Sequence, residues 1–131
     1  HEFVQMHGLP QRPEDVPKFP SIIYTASDAA HDWRYQDPDG STATVSFTRK
    51  FAANSSDMML EACQQGIGLA LMPIFAVTTH LQSGQLIEVL PEYQTSPERG
   101  IYVMFPQNRH LSTKTRLFVD WMTQCSKAFP W

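Results

Sequence analysis

The sequence predicts an α/β fold, and three observations carry that reading. From Asn54 to Pro91 the apolar pattern switches between helical and extended periods. The resulting rhythm of helix, strand, helix, strand calls for βαβ units with right-handed crossovers. Ahead of it, apolar and polar residues alternate with period two on either side of an Asp37-Pro38-Asp39-Gly40 turn. The chain has 131 residues, enough for one core of ordinary domain size and not for two.

Each element has its own signal. Phe3, Val4 and Met6 make a short helix that Gly8 stops, and Pro13-Glu14-Asp15-Val16 make one helical turn with proline first and acids at its positive end. Ser21 to Ala26 reads as a strand through Ile22, Ile23 and Tyr24. Asp32 to Gln36 and Ser41 to Phe51 form the arms of a hairpin, the second with Ala43, Val45 and Phe47 on one face and threonines and serines on the other. Asn54-Ser55-Ser56-Asp57 then offers N-cap residues to a helix that Gly66 closes. Ile67 to Met72 is a short apolar run suited to a strand buried on both faces. Pro73 starts the next helix, which runs to Gly84, and Gln85 to Leu90 alternates as a strand ended by Pro91. Tyr93 to Arg99 reads as a polar loop and Gly100 to Phe105 as a last strand. Ser112 caps a final helix whose Leu117, Phe118, Trp121, Met122 and Cys125 form one apolar stripe.

Composition removes several function classes. Hydrophobic residues are 42% and charged residues 18%, with six glycines and ten prolines, so disordered and repetitive classes are excluded. The net charge of −3 has the wrong sign for holding nucleic acid by its phosphates. The longest apolar stretch, from Ile67, is broken at Pro73 and is too short for a membrane-spanning helix, which needs about 20 residues. Residues 1–10 do not read as a signal peptide, so the expected compartment is the cytoplasm, and Cys63 and Cys125 are expected to be buried free thiols.

Little in the chain looks catalytic. The five histidines fall in no metal-ligand spacing, Gly-x-Ser-x-Gly does not occur, and Gly66-Ile67-Gly68 has Leu71 where a dinucleotide loop needs its third glycine. That glycine pair is instead a helix stop followed by close packing. No metal or cofactor is expected. The one ligand-like feature is Asn54, Ser55 and Ser56 at a helix N-terminus, where free backbone N–H groups and the positive dipole end attract anions. Plain capping is the competing reading. Trp33 and Tyr24, on strands just before it, are either apolar walls for a ligand or core.

These residues carry a resemblance. The order Glu2-Phe3-Val4-Gln5-Met6-His7-Gly8-Leu9-Pro10, Arg12-Pro13-Glu14-Asp15-Val16, Trp33-Arg34-Tyr35 and Asp39-Gly40 resembles the effector-binding domain of LysR-type transcriptional regulators. So do Ala53-Asn54-Ser55-Ser56-Asp57, Gly66-Ile67-Gly68-Leu69-Ala70-Leu71-Met72-Pro73, Leu81-Gln82-Ser83-Gly84-Gln85-Leu86 and Val89-Leu90-Pro91. Ile101-Tyr102-Val103-Met104-Phe105-Pro106 and Arg109-His110-Leu111-Ser112 complete the series. Its specificity lies in the order of several weak motifs.

The resemblance implies a periplasmic-binding-protein-like type 2 fold, a mixed sheet with flanking helices, and only part of its two-subdomain effector domain. Residues 1–106 would be the second subdomain, and residues 107–131 the crossover and a helix of the first. A small, anionic effector would lie in the cleft between subdomains, with Asn54, Ser55, Ser56 and Trp33 lining it. Homo-oligomers are implied, with the helix Pro73 to Ser83 and the strand Gln85 to Leu90 as the pairing surface. DNA would be held only through an N-terminal winged helix-turn-helix absent from this chain. The competing reading is a solute-binding or enzymatic domain of the same architecture, because fold does not fix function.

Overall fold

The computed structural model describes residues 2–26, 31–97, 100, 102, 104 and 112–127. It divides into two compact units, His1–Arg99 and Gly100–Trp131. The described residues of the first unit form two three-stranded sheets.

One sheet is parallel, with order β4-β1-β5, where β1 is Pro20–Tyr24, β4 is Thr48–Ala53 and β5 is Leu69–Ala70. As the central strand, β1 buries three consecutive residues, Ser21, Ile22 and Ile23, because both faces are covered. Ser21 has no exposed surface, and its hydroxyl donates to the Phe19 carbonyl at 3.2 Å. Helix α2, Ser56–Gln64, lies between β4 and β5 in the chain and packs Met59 and Ala62 against Ile22 and Ala53. Gly66, at φ +69°, ends that helix, as its position in the sequence leads one to expect. Gly68 meets the start of β1 so closely that a Cβ there would stand 2.4 Å from the Pro20 carbonyl oxygen. This is the close packing expected of the second glycine.

The other sheet is antiparallel, with order β3-β2-β6, where β2 is Asp32–Gln36, β3 is Thr42–Ser46 and β6 is Gln94–Thr95. Its hairpin turns through Gly40 at φ +90°, with the Asp37 N–H donating to the Ser41 carbonyl. Trp33 and Tyr35 point to one side and form a core with Val16 and Leu90. Val16 comes from a 3-10 helix, Pro13–Lys18, beside which the Tyr35 hydroxyl donates to the Glu14 carboxylate at 3.1 Å. Thr48 Oγ1 donates to the Pro17 carbonyl, tying the 3-10 helix to the parallel sheet.

The short helix α1, Glu2–His7, ends at Gly8, φ +75°, as expected. Helix α3, Ile74–Gln82, follows Pro73, and in the second unit helix α4, Thr113–Ser126, begins at Ser112, whose hydroxyl accepts from the Thr115 N–H.

Five expectations need correction. The arm Ser41 to Phe51 is two strands, since the hairpin closes where the Phe47 N–H reaches the His31 carbonyl and the chain then crosses to pair in parallel with β1. Ile67 to Met72 shrinks to the two half-buried residues of β5. Gln85 to Leu90 is not a regular strand: its Val89 and Leu90 pack into the Trp33 core, Leu90 takes φ +57°, and Pro91 offers no donor. Gln94 and Thr95, expected in a loop, form β6 against Tyr35 and Gln36. Half of the strand expected from Gly100 to Phe105, at positions 101, 103 and 105, lies outside the described residues, and both cysteines are free but half-buried instead of buried.

Candidate functional site

In a parallel sheet all strands end on the same side, and α/β proteins take up ligands beyond those carboxyl ends. Here that side is formed by Tyr24, Ala53 and Ala70, the last residues of β1, β4 and β5. Tyr24 stands opposite Ala53, and the Thr25 N–H continues the pairing by donating to the Ala53 carbonyl at 2.8 Å. Asn54 and Ser55 follow directly, and α2 starts at Ser56. The helix begins here because Ser55 is extended, φ −125° and ψ 132°, while its carbonyl accepts the first helical bond from Met59.

Capping does not explain the Ser55 side chain, which makes no hydrogen bond to the first turn. Asn54 is exposed and the two serines are half-exposed. Three short polar side chains therefore gather where unpaired backbone N–H groups and the helix dipole present positive charge, and Asp57 is the acid of that first turn. Further along the helix, burial pushes the Cys63 thiol up to about 11, so it stays protonated and unreactive near neutrality.

The sequence places Trp33 beside these residues, but the structure does not bring it there. Trp33 lies in the antiparallel sheet, 7% exposed, with its ring 5.0 Å from that of Tyr35 and its indole N–H donating to Thr95 Oγ1 at 3.2 Å. It is a core residue. The aromatic at the strand ends is Tyr24, 36% exposed. Strand alternation puts it on the same face as Ile22, which is the face covered by α2. The signal for it is its place as the last apolar residue of the Ile22-Ile23-Tyr24 run. A hollow of about 300 Å³ is lined by Gln36, Asp37, Pro38, Gly40, Glu92 and Gln94, none of them among these residues. No cluster of three or more metal-ligating side chains occurs among the described residues.

A parallel sheet with crossover helices and an antiparallel partner sheet is the architecture of LysR regulatory domains, a periplasmic-binding-protein-like type 2 fold. The regulatory domain of AphB in Vibrio vulnificus is similar, with a TM-score of 0.75 and 28% identity over 94% of this chain and 60% of that one. CrgA from Neisseria meningitidis, a LysR-type transcriptional regulator, matches at a TM-score of 0.63 and 27% identity over 74% of this chain and 32% of its own. The chain belongs to the LysR substrate binding domain family, which it matches over residues 1–126. Relatives include the HTH-type transcriptional regulator YhjC of Escherichia coli, 30% identical over 97% of this chain and 42% of its own length. The probable HTH-type transcriptional regulator LtrA of Klebsiella pneumoniae is 26% identical over 93% of this chain and 40% of its own. The chain thus spans about two fifths of the length of these relatives.

Proposed function

We propose that this chain is the effector-sensing and oligomerising part of a LysR-type bacterial transcriptional regulator, a non-enzymatic module of the cytoplasm. It holds a small anionic metabolite beyond the carboxyl ends of β1, β4 and β5, with Asn54, Ser55 and Ser56 as its polar contacts. Residues 1–106 serve as the second effector subdomain and residues 107–131 as the crossover and a helix of the first. The observation that carries the reading is the position of Asn54, Ser55 and Ser56 at the N-terminus of α2, with the Ser55 hydroxyl not spent on capping. Those groups suit a carboxylate, which gains from N–H donors and from the dipole together. Trp33 acts from the core and not as a contact.

Effector binding must favour one state of the regulator over another, since equal affinity for both shifts no population. The module pairs with a second copy through α3 and the segment Gln85 to Leu90. The exposed apolar residues there, Ile74, Phe75 and Ile87 at 45%, 56% and 44%, support that assignment. DNA is reached through a winged helix-turn-helix elsewhere in the intact regulator.

The test is a thermal-shift screen of small carboxylates on the intact regulator, followed by titration of a hit. A ligand that binds only the folded state raises its stability by mass action. Asn54→Ala and Ser55→Ala should each weaken binding about tenfold, equivalent to roughly 1.4 kcal/mol. Unchanged affinity and unchanged transcriptional response in both variants would remove this site.

A further inference from the structure

We draw no further inference here: the strongest candidate, the exposed apolar face of α4 formed by Leu117, Phe118 and Trp121, is an unpartnered helix face, and nothing in the structure shows what covers it.

Discussion

Gly68 and Cys63 show how single residues in this chain are constrained by what surrounds them. At Gly68 any side chain would collide with backbone, the Pro20 carbonyl carbon at 2.8 Å as well as its oxygen, and backbone cannot rotate away as a side-chain tip can. Gly68→Ala should therefore push β5 off β1 and cost about 1 to 3 kcal/mol, the usual range for overpacking. Thermal unfolding would check it, and an unchanged midpoint would contradict the close approach. At Cys63 burial favours the neutral thiol, lifting its pKa from 9.0 to about 11. Between those values the unfolded chain has lost the proton and the folded chain keeps it, so stability should fall as pH rises through that window and be insensitive to this group below it. Folded protein at pH 8 should alkylate at Cys63 much more slowly than unfolded protein, read by mass spectrometry of the peptide. Equal rates would show the thiol to be open.

Two helix starts differ in a way that propensity does not reveal. Ser112 caps α4, accepting from Thr115 N–H at 3.2 Å, whereas Ser55 stands at the same position of α2 and caps nothing. Ser112→Ala should lower helix stability by about 0.5 to 2 kcal/mol, while Ser55→Ala should cost a few tenths at most. Circular dichroism melts of both variants would separate them, and equal losses would return Ser55 to a capping role. This difference also makes Ser55→Ala a clean probe of ligand binding, because it removes a hydroxyl without removing a cap. The strand elements behaved differently from the helices. Helix stops at Gly8, Gly66 and Gly84 are local, set by one residue with positive φ, and the sequence shows all three. A strand requires a partner, and Gln85 to Leu90 has the alternation without a ladder to join.

At the scale of the whole molecule, association is the property to test. Exposed Ile74, Phe75 and Ile87 are each large enough that burial would contribute about 1.5 to 3 kcal/mol, offsetting part of the entropy lost on pairing. Phe75→Glu in the intact regulator should weaken self-association by at least tenfold in sedimentation experiments, about 1.4 kcal/mol, without altering the fold, since Phe75 is 56% exposed. Unchanged association would move the pairing surface elsewhere. Among the described residues no helix is long and apolar enough to cross a membrane.

The α/β class, the four helices, the hairpin turn and the order of motifs that marks the LysR family were legible in the residues themselves. The class, the helices and the turn rest on local chemistry, a period of 3.6 or 2, a proline at a helix start, a glycine at positive φ or an Asp-Gly turn. The family rests instead on resemblance in the order of its motifs. Tertiary structure decided the rest. Whether Ser41 to Phe51 was one strand or two depended on β1, whose open edge took Thr48–Ala53 as a parallel hydrogen-bonding partner while Thr42–Ser46 stayed with the hairpin. The candidate site divided in the same way. Asn54, Ser55 and Ser56 are contiguous, so their gathering at a helix start follows from sequence. The choice between Trp33 and Tyr24 as neighbouring aromatic turned on which sheet each strand joined. Sheet membership is settled by pairing between segments far apart in the chain, as when Trp33 finds its hydrogen-bond acceptor in Thr95, and local periodicity does not encode such pairs.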